Sequence, residues 1–243
     1  MILHRVRRHG TGLVAHDDRW GWQIPDVAYF AVDALLTAAR LAASADAVAY
    51  RRQAQYQIDG YVAATLDRER GLARTAVLED GKPGATYWCR ATGWLMWALC
   101  AALRDAEAGR AAATEPVREA LAILARGARR VLTASGGFHV LMDRPETPEE
   151  VTSVCMIATA LLEASTRGWV EPGYRKMVVE SMWPFILRQI TPDDRLASVY
   201  VKWAKSAEAD RNVMIETVPF DGFGPGIGML LLALRDMARE NDP

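Results

Sequence analysis

The sequence predicts an all-α fold, an α/α toroid built of helical hairpins, and three observations support it. Apolar residues recur at helical spacing through most of the 243 residues. Two predicted helices are apolar on nearly every side, whereas those between them have a polar face, and a helix that is apolar all round must be buried all round. Glycine-apolar turn signals recur about every sixty residues, at Gly12-Leu13, Gly71-Leu72 and Gly137-Phe138. Such alternation in a regular repeat is typical of two concentric layers of helices.

The predicted helices follow one another along the whole chain, which we interpret as a single domain of residues 1–243. Periodicity and capping signals predict helices at about 27–41, 47–66, 92–103, 115–132, 147–164, 172–190 and 224–239. The run Thr147-Pro148-Glu149-Glu150 has the form of a capping box with proline at the first helical position, so it marks the start of the fifth helix. Arg195-Leu196 occupies the turn position of a fourth unit. The repeat therefore predicts about four hairpins.

Composition and charge exclude several classes of function. The formal net charge is -1, so the chain has no basic field that would attract nucleic acid or an anionic membrane surface. The 3 cysteines are an odd number without paired spacing, which indicates buried apolar residues in a reducing compartment. The sequence shows no signal peptide and no apolar run of membrane-spanning length. We therefore expect a cytoplasmic protein that binds neither nucleic acid nor membrane.

The candidate site residues lie in the segments that precede the predicted inner helices. These segments share one face of a toroid, so residues far apart in sequence would line one cavity. In one of them, Trp88 and Arg90 combine a broad flat surface with a bidentate carboxylate binder, which favours an acidic, ring-shaped ligand such as a sugar acid. Core packing explains the helical spacing of Trp94 equally well, and it is the favoured interpretation for Trp97. We predict no metal site, because the adjacent residues 16–18 cannot all point at one ion.

Four stretches together resemble the unsaturated uronyl hydrolases of glycoside hydrolase families 88 and 105, and family 105, the unsaturated rhamnogalacturonyl hydrolases, more closely. They are residues 22–30, residues 87–94 with the Leu-Met-Trp-Ala-Leu that follows, residues 137–143 leading to Thr152-Ser153, and the glycine-rich run 222–226. The resemblance covers nearly the whole chain. It implies a six-hairpin toroid, and with about four hairpins this chain would be an incomplete one, short at its N-terminal end.

The resemblance also implies a reaction, the hydration of the C4=C5 double bond in a terminal unsaturated uronic acid. Asp26 matches the family's catalytic aspartate, which would protonate C4 while water adds at C5. Arg90 would hold the uronate carboxylate and Trp88 would stack on the sugar. The full set of implied substrate-binding residues is Trp22, Trp88, Arg90, Trp94, His139 and Asp143. The expected partner is a small unsaturated oligosaccharide, and the reaction needs no cofactor.

Two departures from the family pattern leave alternatives open. The family's early second carboxylate is missing, and Arg74 and Thr75 stand where the family usually has a histidine. A non-catalytic carbohydrate-binding relic of the same fold is therefore the main alternative. Another toroid enzyme, such as a sugar epimerase or lyase, is disfavoured because the chain has only 4 histidines. Missing hairpins would leave open edges with apolar helix faces, so we expect the chain to form a homo-oligomer that covers them.

Overall fold

The computed structural model describes residues 8, 10–16, 23–78, 81–109, 115–192, 195–200 and 217–220. The helices are α1 (Pro25–Leu41), α2 (Ser44–Thr65), α3 (Cys89–Glu107), α4 (Glu115–Val131), α5 (Val151–Thr166), α6 (Gly173–Met177) and α7 (Trp183–Arg188). The described residues also form two short antiparallel pairs of strands. Strand β1 (Leu66–Asp67) pairs with β2 (Leu72–Ala73), and β3 (Leu196–Tyr200) pairs with β4 (Thr217–Phe220). The predicted helical fold class is confirmed.

Helices α1, α3 and α5 pack against one another in that order, and α2 and α4 pack on the outside of α1 and α3. Nearly every side chain of α3 and of α5 is buried. By contrast, α2 buries only one side, through residues such as Ala54, Ile58 and Tyr61. This difference follows directly from the sequence. Helices α3 and α5 have no polar face, so neither has a side that can be exposed to water. The predicted alternation of inner and outer helices is confirmed for these hairpins.

The turns that precede the inner helices repeat the same local structure. Gly12, Gly71 and Gly136 have φ values of 82°, 63° and 91°, in the left-handed region where glycine carries no steric penalty. Each turn is followed by a buried apolar residue that anchors the segment in the core: Leu13, Leu72 and Phe138 are at most 3% exposed. Leu196, after the turn of the next unit, is 4% exposed. The repeat read from the sequence is therefore a real structural repeat.

Some predicted helix bounds differ from the structure, and those of α3 and α5 bear on the site. Helix α3 begins at Cys89, three residues before the expected start near Thr92. Helix α5 begins at Val151, and its cap is the Glu150 side chain, which accepts a hydrogen bond from the Ser153 amide at 2.7 Å. The Thr147 capping box is therefore wrong: the Thr147 hydroxyl donates to the Arg144 carbonyl at 2.8 Å and closes a turn instead.

The sixth predicted helix, 172–190, is divided into α6 and α7 by a π-helical turn at Val178–Met182. Pro184 follows directly at the start of α7, where its missing N–H and its ring disturb the regular hydrogen-bond ladder of the preceding turn. The seventh predicted helix, 224–239, lies outside the described residues.

Some large apolar side chains are exposed on the first hairpin. They include Phe30 and Leu41 of α1, which are 57% and 84% exposed, and Val48 of α2, at 65%. These residues lie where an open edge was expected, while the number of hairpins and the oligomeric state stay predictions. None of the described helices is long and apolar enough to cross a membrane; a cytoplasmic location also stays a prediction.

Candidate functional site

Backbone hydrogen bonds join the segments that enter α1, α3 and α5 into one band, which we call the entrance ribbon (residues 23–24, 75–78, 83–89 and 138–150). Gln23 and Val77 exchange two such bonds, at 3.0 and 2.8 Å. The Cys89 amide donates to the Val140 carbonyl at 2.9 Å, and the Met142 amide donates to the Tyr87 carbonyl at 2.8 Å. These bonds bring the described candidate residues of the three segments into one continuous band.

Asp26 lies in the first turn of α1, next to a histidine that the sequence did not connect with it. Its Oδ1 accepts a hydrogen bond from the Val27 amide at 2.8 Å, and its Oδ2 lies 3.5 Å from Nε2 of His16. The Asp26 side chain is 20% exposed and the His16 side chain 36% exposed. One carboxylate oxygen is thus held by the backbone, and the other faces a group that can carry a proton.

The segment that carries His16 is fixed by side chains of α2. Oε1 of Gln57 accepts from the Val14 amide at 2.9 Å, and the Tyr61 hydroxyl donates to the Val14 carbonyl at 2.6 Å. Both side chains are fully buried. Burial, together with the nearby charge of Asp26, raises the pKa of Tyr61, so its phenol stays a neutral donor. The position of His16 beside Asp26 is therefore set by the packing of α2.

Arg90 and Trp88 are close together, and both are buried. The Arg90 guanidinium lies over the Trp88 ring, with Cζ 4.3 Å from the ring centroid. Its Nη1 donates to Oε1 of Glu150 at 3.0 Å and to the Thr152 hydroxyl at 3.3 Å. The exposed fractions are 7% for Arg90 and 5% for Trp88. In this structure the carboxylate that Arg90 binds is the protein's own Glu150, which is 0% exposed.

Trp94 lies in an aromatic cluster between α1 and α3. Its indole stacks on Tyr29 with 5.5 Å between the ring centroids, and it meets Trp97 edge to face at 5.4 Å. Phe30 completes the cluster at 5.1 Å. Trp94 is 8% exposed, so most of its surface is used for packing between inner helices rather than offered to a ligand.

His139 and Asp143 line a separate open pocket of about 790 Å³. Neither Asp26, Trp88 nor Arg90 lines this pocket. Nδ1 of His139 is hydrogen-bonded to the Thr147 carbonyl, and Oδ2 of Asp143 lies 3.5 Å from Nη1 of Arg70. The structure thus brings the predicted site residues to one face, but it divides them among different surroundings. Trp22, the remaining predicted substrate-binding residue, lies outside the described residues.

A network around Asp67 supports the ribbon, and no sequence motif indicated it. Oδ2 of Asp67 accepts from the Tyr87 hydroxyl at 2.6 Å and from Nη2 of Arg74 at 2.8 Å. Burial alone would raise the Asp67 pKa, but the bonds from Tyr87 and the Arg70 amide and the charge of Arg74 outweigh it and lower the pKa. Arg74 and the neighbouring Thr75, the two residues at the family's histidine position, are thus structural here.

Thr75 supports the candidate binding residue Trp88 directly. Its hydroxyl accepts a hydrogen bond from the Trp88 amide at 3.0 Å and pairs with the Thr86 hydroxyl at 2.7 Å. Both threonines are buried.

The residues that sequence reasoning missed are His16 as a neighbour of Asp26 and Glu150 as the partner of Arg90. A weak signal existed for His16, since it follows the turn glycine Gly12 by four residues in a segment that enters an inner helix. Glu150 was hidden by the assignment of the helix cap to Thr147. Among the described residues, no three side chains of His, Cys, Asp or Glu form a group that could hold a metal ion.

Several solved structures share this fold. The chain is similar to a possible member of glycoside hydrolase family 105 from Klebsiella pneumoniae (TM-score 0.88, 20% identity, covering 99% of this chain and 63% of that one). A possible member of the same family from Salmonella enterica serovar Paratyphi A gives a TM-score of 0.86 at 20% identity, covering 99% and 64%. The unsaturated glucuronyl hydrolase of Bacillus sp. GL1, described as responsible for the degradation of glycosaminoglycan, gives 0.69 at 16% identity, covering 99% and 66%.

These similarities show that the fold is the α/α toroid of the unsaturated uronyl hydrolases, a class of carbohydrate-active proteins. The chain spans slightly less than two thirds of the length of these three structures. No curated protein matches it in sequence. The chain belongs to Glycosyl Hydrolase Family 88, whose family model matches residues 1–240.

Proposed function

We propose that this glycosidase-family protein hydrates the C4=C5 double bond of a terminal unsaturated uronic acid, with unsaturated rhamnogalacturonyl oligosaccharides as the expected substrates. The observation that carries the proposal is the Asp26 carboxyl at the entrance of an inner helix. It is partly exposed, held by the Val27 amide and placed 3.5 Å from the His16 imidazole. The family membership and the resemblance of residues 22–30 to the family's catalytic stretch support the same role.

In this proposal Asp26 is the acid that protonates C4. The electron pair of the double bond forms the new C–H bond, and the positive charge that develops at C5 is shared with the ring oxygen. Water then bonds to C5, and one of its protons returns to the Asp26 carboxylate, so that the acid is restored. The hemiketal then opens to a ketone at C5 and leaves a hemiacetal at C1. That hemiacetal breaks down to an aldehyde, and the C1–O bond that breaks releases the next sugar as an alcohol. His16 lies next to Oδ2 of Asp26, so a second side chain of the acid–base type is adjacent to the proposed acid.

Arg90 and Trp88 have a supporting role in this proposal, as the grip for the uronate. The ion pair with Glu150 fixes the guanidinium, and the guanidinium in turn fixes the Trp88 ring. A binding group that is held in place before the substrate arrives loses less freedom on binding, which favours a tight and well-oriented complex. The burial of both side chains means that only their outer edges would meet the sugar.

The test is a turnover assay on an unsaturated rhamnogalacturonan disaccharide and an unsaturated glucuronyl disaccharide, which follows the loss of the ultraviolet absorbance of the double bond. The wild type is expected to turn over the former faster. Asp26→Asn is expected to lose about 10²- to 10⁴-fold in kcat, because it can no longer donate the proton. Asp59→Asn, on the exposed side of α2, is the matched control and should keep full activity.

Two results would overturn the enzyme assignment or part of it. If the folded wild type binds the disaccharides without turnover, the protein is the non-catalytic relic. If Asp26→Asn turns over at the wild-type rate, Asp26 has no catalytic role.

A further inference from the structure

The open pocket lined by His139 and Asp143 has the size of a small-molecule site, and the proposed reaction does not use it. It lies between the β1–β2 turn, the C-terminal end of α4 and the segment 139–145. Its volume of about 790 Å³ falls within the range of small-molecule sites, roughly 300–1,000 Å³. Because Asp26, Trp88 and Arg90 are absent from its lining, it is a second site and not the place where C4 would be protonated.

The Asp143 carboxylate in the pocket wall is incompletely satisfied. Its Oδ1 is buried and has no hydrogen-bond partner among the described residues, and its Oδ2 has Nη1 of Arg70 only at 3.5 Å. Buried polar atoms in folded proteins nearly always have a partner, and leaving one without costs free energy. The torsion that turns a carboxylate about its own axis is soft. A hydroxyl group in the pocket could therefore donate to Asp143 after a small rotation.

The charges of the lining do not favour an anionic ligand. Two guanidinium groups, Arg70 and Arg130, face two carboxylates, Glu69 and Asp143, so their formal charges cancel. Both arginines are already engaged within the protein. Arg130 donates to the Arg70 carbonyl, and the Arg70 guanidinium lies 5.2 Å from the centroid of the Tyr87 ring. A phosphate, sulfate or carboxylate would have to displace these contacts.

The rest of the lining suits a sugar ring. Leu72, Met142 and Pro145 supply an apolar surface, and Thr133, His139 and Asp143 supply polar atoms in the same pocket. A pyranose has a face of C–H groups and an edge of hydroxyls, so it matches a lining that offers both apolar and polar groups. No charged group on the ligand is needed.

We propose that this pocket is a second carbohydrate-binding site that takes a neutral sugar ring, with a hydroxyl donating to Asp143. This assignment rests on the proposed function in one respect only: the neutral ring would belong to the part of the substrate oligosaccharide that lies away from the reacting uronate. The binding itself is independent of the chemistry at Asp26. The two proposals can therefore fail separately.

The experiment is an NMR titration of the folded full chain with methyl-labelled methionine, followed at Met142. The probes are three neutral disaccharides, cellobiose, lactose and maltose, and one acidic disaccharide, digalacturonic acid. We expect at least one neutral disaccharide to shift the Met142 methyl signal saturably at millimolar concentration, and more tightly than the acidic one. Asp143→Ala should weaken that binding at least tenfold. Glu146→Ala, an exposed neighbour outside the lining, should leave it unchanged.

Further measurements separate the outcomes. If Asp143→Ala does not fold, Asp143→Asn preserves the shape of the side chain, and it should also weaken binding because the amide accepts less strongly than a carboxylate. Asp26→Asn should bind the neutral disaccharide like the wild type. The proposal is overturned if none of the neutral disaccharides shifts the signal, if digalacturonic acid binds more tightly, or if neither Asp143 variant weakens binding. Binding without turnover in the wild type would refute only the proposed reaction.

Discussion

Removing Glu150 should destabilise the protein far more than removing an ordinary surface carboxylate, because it would leave a buried charge without its counter-ion. The Arg90–Glu150 pair joins Nη1 and Oε1 at 3.0 Å, and the two side chains are 9% and 0% exposed. Breaking a buried pair by removing one partner costs about 3–5 kcal/mol. Glu150 also caps α5 through the Ser153 amide, and losing a cap costs about 1 kcal/mol.

We therefore expect Glu150→Ala to lower the free energy of unfolding by about 3–5 kcal/mol, since the two losses share one side chain and do not add fully. For a chain of this size this corresponds to a decrease in Tm of roughly 10 °C. Glu150→Gln keeps an acceptor for the Ser153 amide and should be milder. Glu146→Ala, which is exposed, serves as the control and should change stability by less than about 0.5 kcal/mol.

The assay is urea unfolding followed by circular dichroism, and it includes a variant that lacks both charges. The variant Arg90→Met/Glu150→Leu removes both charges, and it should recover much of the stability that Glu150→Ala loses. The reasoning would be refuted if Glu150→Ala cost less than about 1 kcal/mol, or if the double variant were no more stable than Glu150→Ala. In either case the buried charge of Arg90 would not be what makes Glu150 necessary.

Two further predictions concern the support of the entrance ribbon. A Cβ at Gly127 of α4 would lie 1.9 Å from the Gly71 carbonyl oxygen. Gly127→Ala should therefore lower the free energy of unfolding by about 2–4 kcal/mol, even though alanine favours the helix by about 1 kcal/mol. A variant whose Tm is no lower than that of the wild type would contradict this. Asp67→Asn weakens the bonds to Tyr87 and Arg74 and should cost about 1–3 kcal/mol at pH 7. Because the folded pKa of Asp67 is lowered, its stabilisation is present above the unfolded value of about 4 and is lost as the pH falls through the folded one. The gap between variant and wild type in urea unfolding should therefore close at acid pH, and a constant gap would show that the Asp67 charge contributes nothing.

The helical layers could be predicted from the sequence because they depend on local patterns. Residues such as Leu95, Met96 and Leu99 of α3 leave no polar side, so their burial follows from the pattern alone. The turns were equally readable, since Gly71 needs a left-handed backbone and Leu72 after it is apolar. These features need no knowledge of distant partners.

The site could be predicted only in part, because its contacts join residues far apart in the chain. Asp26 was predicted from the resemblance of its local stretch to the family, but its approach to His16 depends on how Gln57 and Tyr61 hold Val14, two residues before that histidine. Arg90 was identified as a carboxylate binder, and that chemistry is present. Its partner, however, is Glu150, and competition between a ligand and an internal carboxylate leaves no trace in the sequence.

The entrance ribbon also has a consequence for the order of folding. The hairpins α1–α2 and α3–α4 pair helices that are neighbours in the chain, whereas the Gln23–Val77 and Trp88–Leu141 bridges join residues about fifty positions apart. Such contacts must wait until the flanking hairpins have docked, since closing a long loop is unfavourable before there is a core to hold it. The face that carries Asp26 and Trp88 should thus be the last part to form and the first to open, so native-state hydrogen exchange at the ribbon amides should be faster than in α3 and α5.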